Sequence, residues 1–146
     1  MSTVDTLLNS KDQQVWHTHP DQSVLDAITL MEKKGVGALA VVKDDSLVGI
    51  ISERDYARQV ILKGRTSKDT LVKDIMTRQV LVTHREQSTN DCMVLMTEKK
   101  IRHLPVMEDN KLVGMISLGD VVKEIIREQE IKIKELESYI SWEECY

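Results

Sequence analysis

Apolar positions along this chain change spacing in a fixed order, and that order occurs twice. From Ser23 onward Val24, Ala27, Ile28 and Met31 recur at the three- and four-residue steps of one helix face. Ser23 is a suitable N-cap, Asp21 suits a helix start, and Gly35 is a natural stop. Two β-rich runs follow, Ala38 to Val42 and Leu47 to Ile51, and the polar link Lys43-Asp44-Asp45-Ser46 reads as a hairpin turn. A second helix is predicted from about Glu53. Later in the chain Ser88 caps a helix carrying Cys92, Leu95 and Met96. The runs His103 to Met107 and Leu112 to Ile116 flank Glu108-Asp109-Asn110-Lys111, and another helix is predicted from about Gly119. Short extended pieces, Val15 to Thr18 and Val80 to Thr83, precede the two blocks.

Laid on itself at an offset of 65, the sequence aligns residues 15–61 with 80–126 without a gap, and 19 of the 47 positions are identical. The chain is a tandem of one β-α-β-β-α unit. About 47 residues cannot bury both faces of a small sheet, so the units are expected to pack on one another. The expected class is α/β of the α+β kind. Its expected parts are residues 1–64 as the first repeat with an N-terminal helical lead-in, 65–78 as linker and lead-in, 79–127 as the second repeat, and 128–146 as a helical extension. In that extension Val122, Ile126, Gln129, Ile133, Leu136 and Ile140 step by four and three, a heptad seam. The seam either pairs with a second copy or packs the tail back on its own domain.

Charge and composition narrow the function. With 20 basic and 24 acidic residues the net charge is −4, so no global field draws the chain to nucleic acid or anionic lipid. Aromatics are too few, with two Trp, three Tyr and no Phe, for a surface that stacks splayed bases. The longest apolar runs are five residues, far short of the roughly 18 to 20 of a membrane span. The N-terminus MSTVDTLLNSKD lacks a basic leader and apolar stretch, and Cys92 and Cys145 are isolated, so the expected location is a reducing cytoplasm.

The segment most open to chemistry is the repeated G-h-h-S-x-x-D, Gly49 to Asp55 and Gly114 to Asp120. One reading is structural: Ser caps the amide three residues on and the acid reaches back, a capping box. The other is a nucleotide site. A strand opening into a helix presents free amides to a phosphate, a Ser hydroxyl donates to it, and a carboxylate one turn on accepts two ribose hydroxyls.

These two segments, with Val72-Lys73-Asp74-Ile75-Met76-Thr77 and Lys100-Ile101-Arg102-His103-Leu104-Pro105-Val106, make the chain resemble a tandem of cystathionine β-synthase (CBS) domains, the Bateman module. The stretch Gly49 to Val60 resembles small bacterial and plant-organelle members. The resemblance implies two CBS repeats packed as a pseudo-two-fold pair, with clefts between them that sense AMP, ADP, ATP, NAD(H) or S-adenosylmethionine. It implies that Asp55 and Asp120 hold ribose, and that Ser52, Ser117, Arg102 and His103 touch phosphate. Arg54 is a further phosphate candidate, against a solvated helix face. His17, Thr18, Val82 and Thr83 would line the adenine pocket, with Val36 and Ile101 flanking the base and Gly37, Ala38 and Pro105 nearby. Arg102 and His103 stand where the first repeat has Gly37 and Ala38, so the two sites are expected to differ, and the resemblance directs that basic pair toward the cleft of Asp55. A homodimer and a regulated protein partner are also implied.

Other motifs carry less. Gly35 to Ala40 matches G-x-G-x-x-A, but a dinucleotide fingerprint follows a strand and opens a helix, and here the order is reversed. His17-Thr18-His19 has no third metal ligand placed nearby. No nucleophile with a paired base can be assembled, so the expectation is a non-catalytic protein with no metal and no catalytic cofactor. The rival is a constitutive adaptor or dimerisation module, its Ser and Asp only caps, with Tyr139, Trp142 and Tyr146 docking a partner.

Overall fold

The computed structural model describes residues 1–11 and 14–144, with side chains described through 140. It groups into two compact units, neither a continuous piece of chain. Of the described residues, one holds 14–82 and 105–115, built on the first repeat; the other holds 1–11, 83–104 and 116–144, built on the second.

In the first-repeat unit the strand β1 (His17–Thr18) lies parallel to β2 (Ala38–Lys43), which pairs antiparallel with β3 (Ser46–Ser52). The β2–β3 turn is Asp44-Asp45 with φ of 52° and 63°, the two left-handed positions that match strand twist in a two-residue hairpin. Helix α2 (Val24–Lys34) starts where Ser23 accepts the Asp26 amide and ends at Gly35, φ 65°, whose left-handed backbone suits glycine. Val24, Ala27 and Met31 face the core as the spacing predicts, against Leu39, Val41 and Ile51. Short α3 (Glu53–Tyr56) runs on into a π-helical turn, Ala57–Ile61, that buries Val60.

The linker reading of 65–78 is only partly what the backbone does. Residues 70–73 hydrogen-bond to 20–24, and α4 (Val72–Ile75) adds Val72, Ile75 and its C-cap Met76 to the core. Thr77 then exchanges two backbone hydrogen bonds with Ile50, 2.9 and 3.0 Å, extending the edge of β3.

The second-repeat unit is assembled by the same contacts. Helix α1 (Val4–Ser10) is capped by Thr3, and its start bonds to the segment before α5 (Thr89–Lys99) through Val4 to Gln87 and Asp5 to Arg85. The N-terminal residues 1–11, expected with the first repeat, therefore sit in the unit of the second. Buried Val4, Leu7, Leu8, Cys92, Met96, Leu104, Ile116 and Val121 form its interior. The expected strand at 80–83 is not formed; only Thr83 makes a bridge. Strands β4 (His103–Glu108) and β5 (Lys111–Ser117) pair through the turn Asp109-Asn110, φ 50° and 63°; their outer ends, His103–Leu104 and Ile116–Ser117, group with this unit, and residues 105–115 with the first-repeat unit. Helix α6 (Leu118–Glu144) closes the order. Among the described residues no helix is long and apolar enough to cross a membrane.

Candidate functional site

Both G-h-h-S-x-x-D segments fold into a strand end that opens a helix. At the first, Ser52 Oγ accepts the Asp55 amide at 3.2 Å, and Asp55 Oδ2 accepts the Ser52 amide at 2.9 Å and its hydroxyl at 3.1 Å. The capping box is complete. Thr77 Oγ1 stands 3.5 Å from Asp55 Oδ1, so the second carboxylate oxygen faces the lead-in segment. The Glu53 amide donates to Gly37 O at 3.0 Å, and Ala38 pairs with Ser52. Gly37, Ala38, Ser52 and Asp55 are thereby brought to one junction. Val36 is half-buried beside it; its amide donates to Met31 O at 3.0 Å across the α2 stop. In the same unit His17 is exposed and Thr18 buried, in parallel register with Ala40 and Val41, and Arg54 is exposed in the first turn of α3.

The second junction repeats the backbone and changes the chemistry. Asp120 Oδ2 accepts the Ser117 amide at 2.8 Å, Ser117 Oγ accepts the Asp120 amide at 3.1 Å, and the Leu118 amide donates to Arg102 O at 2.8 Å. Arg102 and His103 thus occupy the places of Gly37 and Ala38. The unit that holds them is the one that holds Asp120; Asp55 belongs to the other. The Lys11 ammonium donates to Asp120 Oδ2 at 2.6 Å. Ile101 and Thr83 lie in this unit too, Thr83 fully buried, whereas Val82 and Pro105 belong with the first repeat.

Lys11 and Thr77 were not read from the sequence as site residues. Lys11 is the C-cap of α1 as Met76 is of α4, and an offset of 65 carried upstream of residue 15 sets one on the other. That extension was the available signal. Where Met76 is buried against Gly49, Lys11 puts a charge on the Asp120 carboxylate.

Burial pushes the Asp120 carboxyl up, but hydrogen bonds from Lys11 and Ser117 and the Lys11 charge outweigh it, leaving Asp120 below the usual carboxylate range. Burial pushes His103 down; the Asp120 charge opposes this, while Lys11 and Arg102 add to it, so the imidazole is held below its usual value. Each shift means that the unfolded chain binds protons more readily than the folded one, so stability rises with pH across both windows. The His103 contribution is complete above about pH 6.5 and fades as pH falls below it; that of Asp120 fades at lower pH, below about 4. Urea unfolding at pH 7, 6 and 5 is expected to show declining stability. His103→Gln flattens that part of the curve and leaves in place the acid loss from Asp120 below about pH 4.

One sequence reading is settled by geometry. The G-x-G-x-x-A stretch does follow helix α2 and open strand β2, the reverse of a dinucleotide turn. Cys92 is buried with its sulfur 3.5 Å from Thr83 Oγ1, and burial pushes its thiol up, away from thiolate chemistry. Among the described residues no group of three His, Cys, Asp or Glu is placed to hold a metal. Tyr139 is exposed; Trp142 lies outside the described side chains, and Cys145 and Tyr146 outside the described residues.

Known proteins give the arrangement a context. The family described as CBS domain matches residues 12–61 and 72–127. The mitochondrial CBS domain-containing protein CBSX3 of Arabidopsis thaliana is 40% identical, over 95% of this chain and 72% of its own. The solved structure of a protein with CBS domains from Burkholderia ambifaria is 47% identical with a TM-score of 0.85, covering 88% of this chain and 96% of that one. The CBS domain pair of protein MJ0100, solved with 5′-methylthioadenosine and S-adenosyl-L-methionine, is 22% identical with a TM-score of 0.78 over 88% of this chain and 98% of that one, a likeness of fold. Two matched repeats that take up most of the sequence, and relatives alike over nearly all of it, place this chain in the CBS-domain family as a tandem pair.

Proposed function

We propose that the chain is a non-catalytic sensor that binds adenosine-containing ligands at its strand-to-helix junctions and passes their presence to a protein partner. The observation that carries the reading is the junction of the second repeat. An ionised acceptor, Asp120, stands beside the Ser117 hydroxyl, the Lys11 ammonium and the Arg102-His103 pair. A sugar diol needs the first and a phosphate needs the others. The complex of the MJ0100 pair with two adenosyl compounds supports the ligand class.

The two junctions divide the ligands. Asp120 with its cations suits a 5′-phosphate, as in AMP, ADP or ATP. Asp55, beside Gly37, Ala38 and the neutral Thr77, suits a ligand with less charge, such as S-adenosylmethionine, or the nucleoside end of NAD(H). Ser52 and Arg54 would then meet the group beyond the ribose, and His17, Thr18, Val36, Val82, Thr83, Ile101 and Pro105 the base. A homodimer in a reducing compartment, cytoplasmic or organellar, completes the reading. For gating, the ligand must bind one arrangement of the module better than another.

The completed capping box at Ser52–Asp55 favours a second reading, an adaptor in which these residues only start helices. A thermal-shift screen with AMP, ADP, ATP, NAD⁺, NADH and S-adenosylmethionine separates them. A ligand at about 100 times its dissociation constant adds roughly 2.7 kcal/mol, or several degrees. The sensor reading expects a shift with at least one ligand that Asp55→Ala or Asp120→Ala removes. The adaptor reading expects no shift, and only the loss of about 0.5–2 kcal/mol that a missing cap costs.

A further inference from the structure

Helix α6 has two faces with different fates. Val121 and Glu124 are buried in the second-repeat unit, where Glu124 accepts the Ser2 hydroxyl at 2.6 Å and pairs with Arg127, and Glu128 takes the Ser2 amide. Beyond Glu128 every side chain through residue 140 is exposed. The tail does not fold back on its own unit. Yet the helix keeps its apolar seam, with Ile126 just before this stretch and Ile133, Leu136 and Ile140 within it exposed by 50%, 54%, 57% and 55%. A lone helix of this length draws its stability from packing an apolar face, and here the described residues leave that face exposed.

We infer that α6 pairs with the same helix of a second copy as a parallel, in-register, two-stranded coiled coil along Val122, Ile126, Gln129, Ile133, Leu136 and Ile140. Three features of the seam point to that occupant. The four-three steps set Ile126, Ile133 and Ile140 at a positions and Val122, Gln129 and Leu136 at d. β-Branched Ile at all three a positions, with Leu136 at a d position, is the combination that favours two parallel strands. Gln129, the seam's polar member, faces its own copy only when the helices are parallel and in register, where the two amides can bond to each other. The antiparallel seam with full overlap sets it against Ile133 and leaves the amide without a partner.

The flanking charges agree. Lys132 at g and Glu137 at the following e position are opposite in sign and meet across a parallel pair, twice by symmetry. The antiparallel alternative sets Glu130 on Glu130 and Lys132 on Lys132, so its remaining Lys123–Glu137 pairs are offset. None of this depends on nucleotide binding, and its failure would leave the ligand reading where it stands.

Sedimentation equilibrium of the full chain tests it, with circular dichroism to show that each variant folds. The expected result is a concentration-dependent dimer that Leu136→Glu converts to monomer. Lys132→Glu is expected to weaken the dimer roughly fivefold, with recovery in the Lys132→Glu/Glu137→Lys double variant. In a Cys145→Ser background, Gln129→Cys should form a disulfide-linked dimer under mild oxidation, because in-register d positions meet. A monomer at every concentration, a trimer or tetramer, or a dimer indifferent to Leu136→Glu would overturn the inference. So would a dimer in which the charge reversal has no effect and Gln129→Cys does not cross-link.

Discussion

Lys11→Ala is expected to lower affinity for AMP by about 10- to 100-fold while leaving adenosine binding unchanged or slightly improved. Lys11 holds its ammonium 2.6 Å from Asp120 Oδ2. If the lysine is a phosphate donor, its removal deletes one charge-assisted hydrogen bond, about 1.5–3 kcal/mol, from any ligand bearing a 5′-phosphate. Adenosine has no such group, and without Lys11 the carboxylate is freer to accept the ribose hydroxyls. Asp120→Ala is expected to weaken both ligands, since both need the diol acceptor. Calorimetric titration of wild type and the two variants against AMP and adenosine reads the difference. Equal losses for both ligands in Lys11→Ala would show that the lysine only positions Asp120. The ion pair is partly exposed, so its own share of stability is small, about 1 kcal/mol or less. Binding, not unfolding, is therefore the informative measurement.

Gly49→Ala is expected to destabilise the first-repeat unit by about 1–3 kcal/mol, although it adds a single methyl group. A Cβ at Gly49 would lie 2.7 Å from Met76 Sδ and 3.0 Å from Thr77 O. The thioether can swing aside, but the carbonyl is held by the Ile50 amide at 3.0 Å. Relief of the overlap must therefore come from moving the Met76–Thr77 segment off the edge of β3. That movement also takes Thr77 away from Asp55, so the variant should lose ligand affinity at the first junction together with stability. Gly114→Ala is the internal comparison at the matching position of the other repeat. Urea denaturation of both variants, with ligand titration of the first, checks the expectation.

The regular parts of this fold were plain in the sequence because they rest on local spacing. Ser23 and Ser88 start α2 and α5, Gly35 ends α2, and the two hairpins turn at Asp44-Asp45 and Asp109-Asn110. The 65-residue offset also predicts that Ser52–Asp55 and Ser117–Asp120 adopt one geometry, and they do. What stayed hidden depends on pairing across long stretches of chain. Thr3 and Val4 bond to Ser88 and Gln87, and no local pattern announces such partners. Helix α1 also has seven residues where α4 has four, which blurs the repeat at the point where Lys11 stands opposite Met76. At 80–83 β propensity overstated the case, since Val80 and Val82 are only half-buried and a single bridge at Thr83 replaces the strand. The repeated Ser and Asp were readable as two like turns, but the grouping of Arg102 and His103 with Asp120 rather than Asp55 was not. Nor was the charge that completes the second one.

The way the chain is divided has a consequence for its topology. The polypeptide passes from one unit to the other between residues 11 and 14, and at 82/83, 104/105 and 115/116. A single cleavage in the polar stretch 63–70 would therefore not yield two separable halves, because the N-terminal fragment carries residues 1–11 of the second-repeat unit and the C-terminal fragment carries 72–82 of the first. Each fragment completes a structure founded on the other. The module behaves as interlaced rather than serial, and neither repeat can be excised by cutting where the sequence looks most like a linker.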